Sequence, residues 1–192
     1  MIKELKEKIL KEAIVVNDSM VKVDGFLNHR LNIEILQKMG TVFYEAFKED
    51  HIDLILTIEA SGIALAIMAA QKLNVPVLFA KKGNNTLHQE NIYSTIVHSA
   101  TKNIDTSIYI SQDYLKKDMR VLIIDDFLAK GNAVFGLMNL IEKAEAECVG
   151  VCIAIEKGFE EGGKQIRAQG IKLVSCAVID HIENGLVILR DE

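Results

Sequence analysis

The apolar positions of this chain alternate between helical and strand-like spacing from one end to the other. Ile2, Leu5, Ile9 and Leu10 recur among charged residues at intervals of three and four, which predicts a helix over 2–12. Residues 14–23 are rich in β-forming side chains and read as extended. Asn32 stands where its side chain can cap a helix running to about Phe47, with Ile33, Leu36, Met39, Val42, Phe43 and Phe47 as its buried stripe. From there the pattern becomes regular. Asp53–Ile58 is an apolar strand, Ser61 opens a helix to about Leu73, and Val75–Ala80 is a second strand. Residues 81–90 are polar and contain Gly83-Asn84-Asn85, a loop signal. Residues 91–98 and 106–112 alternate and predict an antiparallel pair. Arg120–Asp125 is a further apolar strand, followed by a helix from Asn132 to about Ala146, a strand Val149–Ile155, a helix over 160–169 and a last strand over 172–179.

Continuous apolar strands separated by amphipathic helices are the pattern of a parallel sheet covered on both faces. With right-handed crossovers this gives an α/β fold with a doubly wound parallel sheet. Ligands of such sheets lie outside the carboxyl ends of the strands. The chemistry is therefore expected just after Ile58, Ala80, Ile124 and Ile155.

Composition narrows the picture. The 192 residues, 49% of them hydrophobic, suffice for one core, and a single domain over 1–192 is expected. The net charge of -5 and the lack of a long Lys/Arg run weigh against a nucleic-acid partner. The longest apolar stretch, Ile63–Ala70, is too short to cross a bilayer, and the amino terminus lacks an apolar leader, so a cytoplasmic location without membrane attachment is expected. Cys148, Cys152 and Cys176 read as reduced, buried thiols, the first two on one face of a strand. No His clusters with them, which weighs against zinc. A Gly-x-Gly-x-x-Gly turn and a P-loop are both absent, which disfavours a dinucleotide-dependent dehydrogenase or an NTPase.

The most informative stretch runs from Val121 to Ala133. Four aliphatics lead into Asp125-Asp126, and a short loop with Gly131 then enters a helix. Two carboxylates can accept hydrogen bonds from neighbouring hydroxyls. The turn into the helix gathers unpaired N–H groups and the positive end of the helix dipole, which suits a phosphate. A sugar phosphate satisfies both halves. On spacing alone the stretch fits equally well a capped helix after a solvated strand end.

This segment resembles the phosphoribosyl-diphosphate motif of the type I phosphoribosyltransferases, and within them the adenine and xanthine branches, which share an Asp-Asp-Phe/Leu-Leu-Ala core. The resemblance implies that Asp125 and Asp126 hold the ribose hydroxyls and that Ala129, Lys130, Gly131, Asn132 and Ala133 hold the 5-phosphate. Two departures stand out. Lys130, Asn132 and Ala133 occupy positions where many members carry threonines, leaving the phosphate to backbone N–H groups and the Asn132 amide. Ala129 replaces the aspartate that the hypoxanthine–guanine branch uses as a proposed proton acceptor.

Thr57-Ile58-Glu59-Ala60-Ser61-Gly62 is similar to the family's pyrophosphate loop, which often contains a non-proline cis peptide. This similarity assigns Glu59, Ala60, Ser61 and Gly62 to the diphosphate, although a plain strand-to-helix turn with Ser61 as its cap has the same spelling. The segment from Ala80 through Lys81 and Lys82 to Asn91 resembles the family's mobile closing loop, with both lysines facing pyrophosphate oxygens. Lys22 to His29 and Ile155 to Phe159 resemble the base-pocket segments of the xanthine branch, so Val21, Asn28 and Lys157 are expected to line the base, with Phe159 stacking nearby. A small hood over the sheet is expected from about 1–30 and 156–192.

The resemblance implies transfer of a phosphoribosyl group from 5-phosphoribosyl-1-diphosphate to a purine base, with Mg2+ as cofactor and a homodimer as the assembly. No side chain is singled out as a direct metal ligand. The Asn28 and Lys157 donors rank xanthine first, guanine or hypoxanthine next and adenine last. A regulator that senses phosphoribosyl diphosphate on the same fold is the alternative.

Overall fold

The computed structural model describes residues 2–16, 20–83, 91–99 and 104–190. An eight-stranded mixed sheet runs through the molecule in the order β10-β9-β8-β7-β3-β4-β6-β5. Its strands are β3 (Leu54–Ile58), β4 (Val77–Lys82), β5 (Ile92–Ser99), β6 (Ile104–Ser111), β7 (Arg120–Leu128), β8 (Glu147–Lys157), β9 (Lys172–Glu183) and β10 (Leu186–Leu189). Neighbours from β9 through β4 are parallel, and antiparallel pairs flank them on both sides. The expected doubly wound sheet is thus present, with antiparallel edges.

Side-chain alternation sorts the core into two layers. Ile55, Leu122, Ile124 and Cys152 face one cluster with Leu36, Met39 and Phe43 of α2 (Ile33–Phe47) and Leu65 and Ala69 of α3 (Ser61–Leu73). Leu54, Leu56, Val121, Ile123 and Ile153 face the other, with Val134, Leu137 and Leu140 of α4 (Asn132–Lys143) and Ile166 of α5 (Gly162–Ala168). Asn32 caps α2 as its position predicts, its side-chain oxygen accepting from the Ile35 N–H at 3.2 Å. Both ends of the chain meet at one edge of the sheet. Helix α1 (Lys3–Glu12) buries Leu5 and Ile9 and packs on β9 and β10. A short hairpin, β1 (Ile14–Val15) with β2 (Val21–Lys22), leads into a π-helical turn at Asp24–Asn28 that buries Phe26 and Leu27.

Three local readings change. Strand β7 does not end at Asp125 but continues to Leu128, still paired with β8 through Leu128↔Glu156. Cys148 and Cys152 do not share a face. The ladder passes from Val121↔Cys148 to Leu122↔Gly150, so Val149 is an extra residue, and this bulge turns the strand over between the two cysteines. Strand β9 runs beyond residue 179 into a hairpin whose two turn residues, Asn184 and Gly185, both have positive φ, at 50° and 76°. That matches the twist of the flanking strands. All three cysteines are free thiols, and burial raises the Cys148 thiol to about 11. Most of the expected closing loop, residues 84–90, lies outside the described residues.

Candidate active site

The sheet changes winding direction between β3 and β7, which are parallel neighbours. The crevice outside their carboxyl ends is where a doubly wound fold takes its ligand. A cavity of about 750 Å³ opens there. Its lining brings together Asp125, Asp126, Ala129, Lys130, Gly131, Asn132, Ala133, Ser61 and Lys82 with Val21, Asn28 and Lys157. Glu59, Ala60, Gly62 and Lys81 are not on that wall. Gly62 is buried behind it, Ala60 and Lys81 are exposed, and Glu59 accepts a hydrogen bond from the Lys82 N–H at 2.6 Å.

The acid pair sits inside a paired strand rather than at a solvated end. Asp125 is 3% and Asp126 8% exposed. The Asp126 N–H donates to Asp125 Oδ1 at 2.9 Å. Burial, reinforced by the neighbouring Asp126 carboxylate, pushes the Asp125 carboxyl well above its ordinary value of 3.8, while the Lys82 ammonium pulls weakly the other way. Two acids in a position this dry are costly unless something polar or cationic meets them.

The turn after β7 is shaped by what presses on it. Gly131 caps α4 with φ 85°, a left-handed conformation that favours glycine, and a Cβ there would also lie 2.7 Å from the Phe135 ring. Beneath the turn, the Gly162 N–H donates to the Ala129 carbonyl at 3.0 Å. A Cβ on Gly162 would stand 2.4 Å from that carbonyl oxygen and 2.7 Å from the Gly131 nitrogen. Asn132, Ala133 and Val134, first-turn residues whose N–H groups have no partner within the helix, line the cavity at this bend. The Asn132 side-chain amide donates to the His98 carbonyl at 2.9 Å, fastening hairpin β5–β6 to the bend.

On the β3 side, the Glu59–Ala60 peptide is cis, the feature that the resemblance attaches to this loop. Ala60, not Ser61, is the cap residue of α3, and it makes no side-chain capping bond. Behind the loop, a Cβ on Gly62 would fall 2.1 Å from Thr57 Oγ1 and 3.0 Å from Asp125 Oδ1. Gly62 therefore lets α3 start directly against the acid.

The opposite wall is assembled from distant parts of the chain. Val21 is buried, Asn28 is exposed at the rim, and Lys157 is half-buried at the end of β8. Burial lowers the Lys157 ammonium below its ordinary 10.5, with Glu160 opposing. Its Nζ lies 5.7 Å from the centre of the Phe127 ring, within cation–π range. Phe127 lines the cavity, whereas Phe159 packs against the core, so the aromatic on this wall is Phe127. No sequence motif pointed to Val97, His98, Thr106 and Ile108, which hairpin β5–β6 brings to the cavity lining. Their spacing carried no sign of it. Among the described residues no group of three or more His, Cys, Asp or Glu side chains is placed to hold a metal ion, and no helix is long and apolar enough to cross a membrane.

A buried acid pair and the bend that enters α4 thus meet in one cavity at the switch point of the sheet. The phosphoribosyl transferase domain model matches residues 29–186, and the chain belongs to that family. It is 47% identical to the xanthine phosphoribosyltransferase of Clostridioides difficile strain 630, over 98% of this chain and 100% of that one. It is 46% identical to the xanthine phosphoribosyltransferase of Bacillus cereus strain G9842, over 96% and 94%. Among solved structures, the adenine phosphoribosyltransferase of Trypanosoma brucei, in complex with AMP, pyrophosphate and ribose-5-phosphate, superposes with a TM-score of 0.75 at 20% identity, covering 91% of this chain and 78% of that one. The Rhodothermus marinus adenine phosphoribosyltransferase gives 0.74 at 22% identity, covering 92% and 99%. At such identities these two structures speak for the fold alone.

Proposed function

We infer that this protein transfers the 5-phosphoribosyl group from 5-phosphoribosyl-1-diphosphate to xanthine, giving xanthosine 5'-monophosphate and diphosphate in purine salvage. The observation that carries the reading is one cavity holding both an acid pair with a phosphate-type bend and a wall of base-facing donors, in a chain 47% identical to a xanthine phosphoribosyltransferase.

In this reading the C1–O bond to diphosphate breaks with its electron pair leaving on the diphosphate, and a purine nitrogen forms the new bond to C1. Positive charge grows on the sugar in between. Asp125 and Asp126 accept hydrogen bonds from the ribose hydroxyls and set negative charge beside that sugar, in a site already dry. The main-chain N–H groups of 129–133 hold the 5-phosphate, and Ser61 and Lys82, which line the cavity, serve the diphosphate, with Glu59 holding the Lys82 backbone in place. The two halves of the reaction are thus fixed in place before chemistry begins. Mg2+ would enter with the diphosphate and supply Lewis-acid stabilisation of the leaving group. The buried, mutually repelling acid pair fits a ligand that carries such a cation. Lys157 donates to the oxygen at C6, Asn28 to the oxygen at C2, and Val21 and Phe127 bound the ring. The resemblance further supports a homodimer acting in the cytoplasm.

The test is a panel of xanthine, guanine, hypoxanthine and adenine with phosphoribosyl diphosphate and Mg2+, read as diphosphate release. Fastest release with xanthine is expected. Binding of phosphoribosyl diphosphate without release for any base would mark a sensor instead, and fastest release with adenine would overturn the base assignment.

A further inference from the structure

Directly under the phosphate bend lies a polar cluster that the reaction does not touch. Glu156 is 2% exposed, at the end of β8 and opposite Leu128 in the ladder. Its two carboxylate oxygens accept from the Arg167 guanidinium at 2.7 and 2.8 Å, and the Ser175 hydroxyl donates to one of them. Burial alone would raise this carboxyl, but these donors hold it below its ordinary value, so it is charged in the fold. A carboxylate satisfied in this two-pronged way is fixed in direction as well as in charge.

The position of Glu156 gives the cluster its use. A Cβ on Gly163 would stand 2.1 Å from Glu156 Oε1, so the first turn of α5 rests directly on the carboxylate. Arg167, on the same helix, ties its far end to that group. The other glycine of that turn, Gly162, touches the bend itself, donating to the Ala129 carbonyl at 3.0 Å. A rigid chain of contacts therefore runs from Glu156 through Gly163 and Gly162 to the backbone of 129–131.

We propose that Glu156 is a positioning residue for the 5-phosphate: by clamping α5 it sets the height of the 129–131 backbone against the incoming phosphate. The proposal rests on the reading of that bend as the phosphate site. Lys157 is the next residue, yet the β8–β9 ladder holds it by backbone pairing, Lys157↔Ile179, which does not use the Glu156 carboxylate. The effect is therefore selective for the phosphate end of the substrate.

Glu156→Gln keeps the shape but turns an amide NH2 toward donors, weakening the clamp without opening a cavity. In this variant KM for phosphoribosyl diphosphate should rise by about 5- to 20-fold. The Kd for ribose 5-phosphate, measured by calorimetry on the dimer or monomer as isolated, should weaken in parallel. KM for xanthine should change by less than about 2-fold, since the backbone ladder that carries Lys157 does not pass through the Glu156 carboxylate. Gly162→Ala, which pushes on the bend without touching Glu156, should give the same selective pattern. If Glu156→Gln does not fold, Arg167→Lys, which keeps the charge but loses the fork, is read in its place. Wild-type affinity for ribose 5-phosphate in the folded clamp variant, with only its melting temperature lowered, would overturn the inference and leave the site reading intact. Failure of the unaltered protein to bind ribose 5-phosphate at all would overturn the site reading, and the inference with it.

Discussion

The two walls of the cavity are built on opposite terms. The wall proposed for the sugar phosphate comes from one continuous run, Asp125 to Ala133, with its acids buried and its bend braced by Gly162. The wall proposed for the base is gathered from Val21, Asn28 and Lys157, on separate elements, beside Phe127 of the acid run, and Asn28 stands exposed at the rim. A dry, rigid wall gives strong electrostatics at fixed positions. A wall of separate side chains, open at the Asn28 rim, gives up some of that strength but can be retuned residue by residue. If the two walls hold the sugar phosphate and the base as proposed, binding of one and choice of the other should be separable by substitution.

The largest effect is expected at the acids. Replacing Asp125 and Asp126 together by Asn removes both charges beside the sugar and should lower kcat/KM by about 100-fold or more for every base alike. Near-normal turnover in the folded double variant would break the assignment of this wall. The single change Asp125→Asn carries a second, opposite consequence. Burial and Asp126 raise the Asp125 carboxyl above its ordinary 3.8. In the unfolded chain the group ionises first as pH rises, so it costs the ligand-free fold stability above about pH 4, increasingly up to its raised value. Asp125→Asn should therefore melt higher than the unaltered protein at neutral pH, by about 2–4 °C for each kcal/mol relieved, and no higher at pH 3. An equal melting temperature at both pH values would mean that the acid is not desolvated.

Next comes the packing behind the acid. Gly62→Ala would thrust a methyl to 2.1 Å from Thr57 Oγ1 and 3.0 Å from Asp125 Oδ1, so α3 or the carboxylate must shift. We expect kcat/KM to fall by about 10-fold, shared by all bases. Thr57 Oγ1 has no hydrogen-bond partner among the described residues, so Thr57→Ala alone should be mild, and combined with Gly62→Ala it should restore part of the loss. No restoration would show that the clash falls on Asp125 rather than on Thr57.

The same division decides what could be read from the sequence. The acid run was legible as local structure because its parts are contiguous: two acids, a glycine and a helix start within one strand-to-helix crossing. The Glu59–Ala60 turn was legible for the same reason. What the sequence did not disclose is set by the sheet. The strand continues past Asp126 because β8 goes on pairing with it, a partner that no local pattern names. Val149 bulges and parts Cys148 from Cys152, although their spacing alone puts them together. Phe127 rather than Phe159 reaches the cavity because β7 runs on beneath it, and His98 and Thr106 arrive on a hairpin whose pattern says only that it is a hairpin. The Asn184-Gly185 turn did carry a signal, the dipeptide itself, between two alternating runs.

On the base wall, Lys157 should matter to all oxopurines equally. Its ammonium is half-buried, lowered by that burial and held over Phe127, and the oxygen at C6 is common to xanthine, hypoxanthine and guanine. Lys157→Met keeps most of the stem and removes the donor. A loss of about 10-fold in kcat/KM for each of the three bases is expected, with KM for phosphoribosyl diphosphate nearly unchanged. A matching rise in that KM would show that the two walls are not separable here.

The smallest and sharpest test falls on Asn28. Xanthine has an oxygen at C2, guanine an amino group and hypoxanthine only hydrogen. If the Asn28 amide donates to that oxygen, its removal leaves a carbonyl without its partner, a loss of about 1–3 kcal/mol in a sealed site. Asn28 is exposed at the rim, so water can replace part of that bond, and the loss should sit at the low end, about 5-fold in kcat/KM for xanthine. Hypoxanthine has nothing at C2 to lose and should change by less than about 2-fold, so the ratio between the two bases narrows. Guanine should keep most of its rate as well, because an Asn amide that accepts from its amino group does so at the same wet edge. The measurement is kcat/KM for the three bases at saturating phosphoribosyl diphosphate in the unaltered protein and in Asn28→Ala. Equal loss for all three would mean that Asn28 orders the rim rather than reading C2. In that case the C2 oxygen of xanthine must be read by another group lining the cavity, since Lys157 faces an oxygen that all three bases share.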